Sequence, residues 1–389
     1  MKKINLLLIL SLLLMLTLNP TFVGGQTLSD CQTILYNGTD GNITWELCDD
    51  GTLTIGGSGD MYDYVIDYDY GSTAPWAVHR DSFTALVIEE GVTRIGNYAF
   101  PHCINFTGSL TLPEGLISIG NSAFIGCSSF NGNLTFPESL ESISDHAFYW
   151  CNYFTGSLIL PEKLTKIGDA TFRFCSGFTG NLTLPKGIKS IGNLAFSGCR
   201  GLSGSLILPE GLISIGGMAF RSCTGFIGNL IFPGSLESIG DGAFSWCEGF
   251  TDVINHSIEP QTIELSVFDY VSINNITLHV PNNSVEKYSE FPVWKLFGRI
   301  DAIVTSIKEN EIPSFSIYPN PAYNILNLLR EKTGKARIEI YKINGSLIKE
   351  IEIYETNTEV DISTLEAGVY IIRLIDEISS SAQRFIVGI

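Results

Sequence analysis

The chain has 389 residues, enough for two or three domains and a sizeable core. Its 41 Asp and Glu residues outnumber 23 Lys and Arg residues and give a formal net charge of −18. Nucleic acid and anionic membrane surfaces are therefore poor candidates as partners, because both would repel the protein.

The N-terminus has the pattern of an export signal. Two lysines precede an apolar stretch at 6–18, and small residues lead up to Gln26. This pattern predicts a signal peptide over residues 1–25, cleaved between Gly25 and Gln26. The apolar stretch is shorter than the roughly 18–20 residues that a membrane-spanning helix needs, so we expect no transmembrane span in the mature chain.

A period of 24 residues dominates the chain from about position 86 to position 281. Phe, Cys and Pro each recur at this spacing, which is the signature of a repeat architecture. The Phe column is Phe100, Phe124, Phe148, Phe172, Phe196, Phe220, Phe244 and Phe268. The Pro column is Pro113, Pro137, Pro161, Pro185, Pro209 and Pro233, and it returns at Pro281.

Each repeat has two halves with different patterns. The sequence GSLTLP at 108–113 alternates outward and inward residues, which predicts a short strand with Leu110 and Leu112 inside. The sequence SIGNSAFIGC at 118–127 spaces its apolar residues as a short helical turn does. Because such a unit cannot bury its apolar half alone, the coils must stack into a mainly β solenoid with parallel strands.

The nine cysteines divide into two groups. Cys31 and Cys48 stand apart and could pair, because an exported protein can form disulfides. The other seven recur with the repeat, from Cys103 to Cys247. We interpret this column as buried thiols; disulfides between coils and a redox role are the less favoured alternatives.

The repeat resembles the BspA-like subfamily of leucine-rich repeats. The resemblance is carried by LPEGLISIGNSAFIGC at 112–127 and by its copy at 208–223. Segments at 43–59 and 74–96 resemble the N-terminal cap of that family, and 278–300 resembles its C-terminal closure. The resemblance implies a leucine-rich repeat fold and partners among extracellular-matrix proteins or host glycoproteins.

The expected domains follow from the period and from these flanks. They are an N-terminal cap with a β-hairpin at 26–83, the repeat array at 84–281, a C-terminal cap at 282–303, a linker at 304–313 and a last domain at 314–389.

Short alternating runs in the last domain predict a small antiparallel β-sandwich. The phrase Tyr318-Pro319-Asn320-Pro321, the run GVYIIRL and the ending RFIVGI resemble the type A C-terminal sorting domain of the type IX secretion system. That family implies recognition by the secretion machinery and passage to the outer-membrane exterior of a Bacteroidota-type Gram-negative cell. It also implies domain removal and surface attachment.

Catalytic patterns are missing from the sequence. The five histidines stand in no metal-binding spacing, and no nucleophile elbow, phosphate loop or dinucleotide fingerprint occurs. We therefore predict no enzyme, no cofactor and no metal. Asp60, Asp63, Asp67 and Asp69 could offer ligands to calcium, but an exposed loop of the cap is the favoured interpretation.

The outward positions of the repeated strands form the best candidate surface, because they carry almost no charge on a strongly charged chain. Solenoids use such faces to bind extended partners. The predicted ligand-binding residues are Thr111, Asn133, Thr135, Ile159, Asn181, Thr183, Ile207, Asn229 and Ile231. Counted in steps of 24, the central outward column continues to Asn255 and His279.

These features favour a secreted, adhesin-like cell-surface protein that captures a protein or glycoprotein through its strands. Two alternatives remain open. One is a structural spacer that associates only with its own copies. The other is a carbohydrate-binding module that uses the aromatic residues Tyr149, Trp150, Phe174 and Trp246.

Overall fold

The structure is a computed structural model that describes residues 31–69, 71–303, 315–330, 333–342, 346–375 and 380–388. The signal peptide at 1–25, its cleavage site between Gly25 and Gln26, and the linker at 304–313 lie outside the described residues.

A small sheet at the N-terminus leads into the first coil of the array. Its strands are Ile34–Asp40, Ile43–Cys48 and Thr52–Gly57. They pair antiparallel, and the third pairs in parallel with the first array strand, Ala85–Ile88. Cys31 and Cys48 form a disulfide, and a 3-10 helix at Ala77–Ser82 precedes the array. The cap therefore gives the first coil a paired neighbour.

Each coil of the array contributes two short strands, which form two parallel ladders along a solenoid of about nine turns. We call the ladder formed by the GSLTLP-type strands the front ladder. Its strands are Ala85–Ile88, Leu110–Thr111, Leu134–Thr135, Leu158–Ile159, Leu182–Thr183, Gly204–Ile207, Phe226–Phe232, Phe250–Asn255, Thr277–Val280 and Arg299–Ala302.

The second strand of a coil is in most coils a Ser-Ile pair, and we call the ladder of these strands the side ladder. Its strands are Gly59–Asp60, Val92–Ile95, Ser118–Ile119, Ser142–Ile143, Lys166–Ile167, Ser190–Ile191, Ser214–Ile215 and Ser238–Ile239. Gly59–Asp60 belongs to the cap and pairs with Val92–Ile95, so the cap also extends this second ladder.

The second half of each coil is not the short helical turn that the sequence predicts. Between residues 85 and 255, all of which the structure describes, no helix forms. The chain instead makes tight turns whose backbone N–H groups bond to the next coil, as Phe124 N does to Ala147 O at 2.8 Å. Left-handed residues such as Ser122, with φ of 52°, redirect the chain within these turns. A third ladder therefore replaces the helix.

The Phe column forms the centre of the core, as predicted. Successive rings from Phe100 to Phe268 stack with centroids 5.2 to 5.9 Å apart. Trp76 stacks on the first ring at 5.6 Å, and Trp294 packs edge-on against the last at 6.3 Å. Inward Leu110 and Leu112 are buried, as predicted. Two tryptophans thus close the aromatic stack at its ends.

The regular 24-residue step slips at one strand near the end of the front ladder. Ile231 pairs with Ile254, not with Asn255, and Ile254 then pairs with His279. One step is thus 23 residues and the next is 25, so the period recovers downstream. The expectation that Asn255 continues the outward column is wrong: its side chain is buried and bonds to Gln261 at 2.8 Å.

The end of the array is closed by short helices. They are the 3-10 helices Leu265–Phe268, Ile273–Asn275, Asn282–Ser284 and Trp294–Leu296, and the α-helix Val285–Glu290. Tyr288 and Trp294 are fully buried there. Trp294 Nε1 donates a hydrogen bond to Gln261 O at 2.8 Å, and Tyr288 donates one to Ser257 O at 3.1 Å. These bonds fix the closing segment onto the preceding coil.

The last part of the chain forms two antiparallel sheets over a core of its own. One sheet has the strand order Phe315–Tyr318, Ile325–Arg330, Asn357–Asp361. The other has the order Leu347–Ile353, Ala336–Lys342, Gly368–Ile375, Ser380–Val387. The predicted small antiparallel β-sandwich is therefore present.

Candidate binding surface of the repeat array

The cysteine column forms a ladder of buried thiols inside the solenoid. All seven are free and buried. From the second onward, each Sγ lies close to the carbonyl oxygen of the Phe found 27 residues earlier, as Cys175 Sγ does to Phe148 O at 3.1 Å. Burial raises the pKa of Cys175, and it raises that of Cys247 to about 12. The thiols therefore pack in the core and donate weak hydrogen bonds, and burial favours the protonated form of Cys175 and Cys247.

We expect these seven thiols to be unreactive in the folded protein. A soluble thiol reagent at pH 8 needs an exposed thiolate, and the ladder offers neither exposure nor ionisation. In denaturant all seven should react, whereas labelling of the folded chain at the rate of a free thiol would contradict the ladder. Fewer than seven reactive groups in denaturant would indicate disulfides between coils.

The outward face of the front ladder is exposed in the middle of the array. Ile159 is 60% exposed and Ile207 is 54% exposed, although both are isoleucines. Of the other predicted residues, Asn133, Thr135, Asn181 and Thr183 are exposed, and Thr111 and Asn229 are half-buried. We call the outward positions from 109 to 207 of this ladder the strand face.

Serine and asparagine alternate along the strand face, and the alternation fixes its backbone. The N–H groups of Asn133, Asn181 and Asn229 each donate to the serine of the preceding coil, at 3.1 to 3.2 Å. Strands pair as 110–111 with 134–135 and as 158–159 with 182–183. The Ser and Asn pattern therefore repeats every two coils, which is every 48 residues. Sequence analysis missed this longer period, although the alternation is visible in the sequence.

Beyond position 207 the outward positions become less exposed, and Ile231 is buried, which contradicts the exposure expected of it. Ile231 clusters with Ile254 and Ile303 in a small apolar group outside the main core. Ile303 follows the last array strand, so its position was not readable from the repeat. The exposed part of the strand face therefore ends before Ile231.

A hydrogen-bonded His and Asp pair, with the His side chain buried, follows on the same side of the front ladder. His279 Nε2 lies 2.9 Å from Asp252 Oδ1, and Thr251 donates to the other carboxylate oxygen at 2.8 Å. Burial by itself would raise the pKa of Asp252, but the hydrogen bonds from His279 and Thr251 hold it below its usual value. The charged form of Asp252 is thus favoured by folding.

We expect Asp252→Asn to lower the free energy of unfolding by about 1–2 kcal/mol at pH 6, because a hydrogen bond to a charged group is lost. Since folding lowers this pKa, the contribution is complete above the unfolded value near 3.8 and is lost as the pH falls through the folded one. Urea unfolding of both chains between pH 6 and pH 3 should show the difference shrinking. An undiminished difference at pH 3 would contradict the assignment; Glu248→Gln, at an exposed site, is the control.

The acidic segment of the cap is held against the first coil. Asp63 accepts a hydrogen bond from Asn97 N at 2.9 Å and pairs with Arg94, and Asp60 accepts one from Thr93 at 2.7 Å. Burial would raise the pKa of Asp63, but the bonds from Asn97 and Arg94 lower it. These carboxylates therefore have protein partners. Within the described ranges, the one group with metal-binding geometry is Cys31, Cys48 and Asp49, which contains the disulfide.

Asp63 also begins a ladder of side-chain to backbone hydrogen bonds. Asn97 Oδ1 accepts from Asn121 N at 2.6 Å, and Asp169 Oδ1 accepts from Asn193 N at 2.7 Å. The column of Asn and Asp from Asn97 onward is visible in the sequence at the 24-residue spacing, but Asp63 lies 34 residues before Asn97, so sequence analysis did not find its role.

Aromatic side chains protrude from the turn half of the coils. Tyr149 and Trp150 stack at 5.5 Å, and Trp150 and Phe174 lie 6.2 Å apart. Arg173 sits against the rings of Tyr149 and Phe174, at 5.5 and 4.8 Å. Sequence analysis missed Arg173, and it missed a second pair in which Trp246 stacks on Tyr270 at 3.9 Å. Tyr270 lies 24 residues after Trp246, so the repeat spacing was a signal that could have identified it.

The family described as BspA type leucine rich repeat region matches the chain over residues 77–202 and 174–291, in six copies. The chain belongs to this family. Its members share the repeat whose ladders are described above, and the matched range includes the whole strand face. The description of the family is not that of an enzyme.

The secretion system C-terminal sorting domain matches residues 316–388. The protein is accordingly a substrate of type IX secretion, and it is exposed on the surface of a Bacteroidota cell. The segment Tyr318-Pro319-Asn320-Pro321, which the sequence resemblance singles out, is exposed. Asn320 Oδ1 accepts a hydrogen bond from Ile386 N at 2.8 Å, which ties the phrase to the last strand.

Several solved structures are similar to the chain at low identity. A leucine-rich repeat protein of Eubacterium ventriosum is 17% identical with a TM-score of 0.38, over 67% of this chain and 83% of that one. A leucine rich cell surface protein of Faecalibacterium prausnitzii is 18% identical with a TM-score of 0.31, over 69% and 94%. A leucine rich repeat protein of T. pallidum is 24% identical with a TM-score of 0.33, over 55% and 89%.

No curated protein matches the chain. Among the described residues, no helix has the length and apolar character needed to cross a membrane.

Proposed function

We propose that this surface protein captures an extracellular protein or glycoprotein through its strand face. The observation that carries the proposal is an exposed, charge-free face on a chain of net charge −18. Its outward residues, from Ser109 to Ile207, are Ser, Thr, Asn and Ile. A charge-depleted centre within a charged surface is typical of protein interfaces.

The backbone of the strand face is ordered before any ligand arrives. Ladder hydrogen bonds and the Ser-to-Asn bonds hold the coils of each pair in register, the strand at 110 with that at 134 and the strand at 158 with that at 182. Such preorganisation lowers the conformational entropy lost on binding. The five coils from 110 to 206 span about 19 Å at a strand spacing of about 4.8 Å, which suits an extended segment or a small domain. Ile159 and Ile207 supply apolar contact, and the Thr and Asn side chains supply hydrogen bonds.

The C-terminal domain completes the proposed route to the surface. The secretion machinery recognises residues 314–389, with the exposed corner Tyr318, Pro319, Asn320 and Pro321 as the contact, and anchoring follows export. The signal peptide at 1–25 and the domain boundaries at 83, 281, 303 and 313 belong to the same proposal.

Capture experiments with the mature chain, starting at Gln26, test this function. Immobilised protein is incubated with serum and with matrix extract, and the retained proteins are identified by mass spectrometry. We expect a protein or glycoprotein to be retained in a saturable manner. Concentration-dependent association of the chain in light scattering, with no foreign protein retained, would contradict the proposal and support the self-associating spacer.

A further inference from the structure

Two positions recur with a left-handed backbone at the 24-residue spacing, and at the second of them large aromatic residues occupy half of the column. The φ angles there lie between 55° and 79°. The column is His102, Gly126, Trp150, Phe174, Gly198, Ser222, Trp246 and Tyr270. Because this conformation recurs whatever the residue, the fold imposes it. We call Trp150, Phe174, Trp246 and Tyr270, with Tyr149 and Arg173, the aromatic ridge.

Packing within the solenoid does not require aromatic residues at this position. Glycine adopts positive φ without steric cost, and Gly126 and Gly198 fill the same place in two other coils. A bulky residue at positive φ is an outlier, and such strain concentrates at functional sites. The rings are also accessible, with Trp150 50% and Tyr270 67% exposed. Strained and exposed aromatic side chains therefore point to a role outside the fold.

The rings also shape their neighbours. A Cβ atom at Gly198 would lie 2.4 Å from Cδ1 of Phe174, so the ring of Phe174 lies over the next coil and requires glycine there. The ring of Trp246 likewise lies against the following coil, where it stacks on Tyr270. Trp150 and Phe174 thus form one group, and Trp246 and Tyr270 form another three coils further along, about 14 Å from Phe174 at the usual strand spacing.

We propose that the aromatic ridge binds a neutral oligosaccharide. Aromatic faces pack against the C–H faces of pyranose rings, and the neighbouring Arg173 and His146 side chains can bond to hydroxyl groups. Arg173 Nε is buried without a hydrogen-bond partner, and no ion pair of Arg173 is found in the described part of the chain. A net charge of −18 disfavours an anionic ligand.

The small size of each aromatic group favours a sugar over a protein. Each group spans two neighbouring coils, about 5 Å apart, whereas a stable protein interface takes roughly 800 Å² from each partner. Exposed acidic residues such as Asp169 and Asp241 lie in the same turns and limit the apolar area. The ridge lies in the turn half of the coil, so this site is separate from the strand face and does not depend on the function proposed for it.

The double variant Trp150→Gly, Trp246→Gly in the mature chain tests the site. Hexasaccharides of β-1,4-glucan, β-1,3-glucan, α-mannan and chitin serve as probes. Isothermal titration calorimetry gives the readout for both chains, because the double variant keeps only the buried Trp45, Trp76 and Trp294 and has no tryptophan left at the ridge to report binding. We expect the parent to bind at least one probe, and the double variant to bind it at least tenfold more weakly while its melting temperature is unchanged or higher.

Three outcomes would overturn the proposal. The first is that the parent binds none of the four hexasaccharides, and the second is that the double variant binds as tightly as the parent. A marked fall in the melting temperature of the double variant would assign the rings to packing. The control, Ile117→Ala with Ile213→Ala, changes exposed side chains of the side ladder and should bind like the parent.

Discussion

Phe172→Ala is expected to lower the free energy of unfolding by about 3–5 kcal/mol. Phe172 is fully buried between two rings of the same column, Phe148 at 5.5 Å and Phe196 at 5.6 Å, with interplanar angles of 1° and 7°. Its removal leaves a cavity in the middle of the stack, where no chain end can relax into it. Urea unfolding of the mature chain, followed by circular dichroism, measures the change.

Ile159→Ala is the matched control for Phe172→Ala, because the Ile159 side chain is 60% exposed in the same coil. Its effect should stay within about 0.5 kcal/mol. A loss of less than about 1 kcal/mol for Phe172→Ala would contradict the stack as the main source of stability. Because stacked repeats depend on their nearest neighbours, the transition of Phe172→Ala should also broaden or split.

The period made the core predictable. A coil that cannot bury its own apolar side chains must repeat them in register, so Phe172 and Cys175 fall into columns that any 24-residue comparison finds. Burial of Leu110 followed from the alternation within one strand. These predictions concern side chains that every coil needs, and the structure places them as expected.

The prediction of a short helical turn was wrong, because the same local spacing of apolar residues fits both a helix and a strand followed by a tight turn. Ile119, Ala123 and Phe124 are spaced as on a helix, but Ile119 belongs to the side ladder and Phe124 N bonds to the next coil. The competing interaction comes from a neighbour 24 residues away, which a short window cannot contain. Left-handed residues such as Ser122 carry no sequence signal of their own.

The extent of the strand face was less predictable than the core, because it depends on positions where the chain departs from the 24-residue repeat. The one-residue slip that aligns Ile231 with Ile254 cancels within two coils, so a count over the whole array does not detect it. Burial of Ile231 by Ile303 arises from a residue outside the repeat. Ile159 and Ile207 lie where the period is regular and are exposed, as the alternation predicts, and their role in binding stays a prediction.

The second large effect is expected from four lysines on the strand face. A variant with Thr135, Ile159, Thr183 and Ile207 all changed to Lys should fold and should lose at least about 30-fold in affinity for the captured ligand, roughly 2 kcal/mol. The four exposed positions tolerate lysine in the free protein. In a complex, each new charge would have to be buried without a partner, which costs affinity.

A matched variant places the same charge elsewhere on the solenoid. Ile117, Ser142, Ser238 and Ile213 are exposed residues of the side ladder and its edge, and they are again two isoleucines and two hydroxyl residues. Changing all four to Lys raises the net charge equally. Equal melting temperatures of the two variants and the parent would show that any loss of binding is local.

Surface plasmon resonance with the captured ligand over the parent, the strand-face variant and the side-ladder variant is the most direct measurement. The account predicts that the side-ladder variant binds within about threefold of the parent, whereas the strand-face variant loses at least about 30-fold. Undiminished binding by the strand-face variant, or an equal loss in both variants, would contradict the strand face as the binding surface.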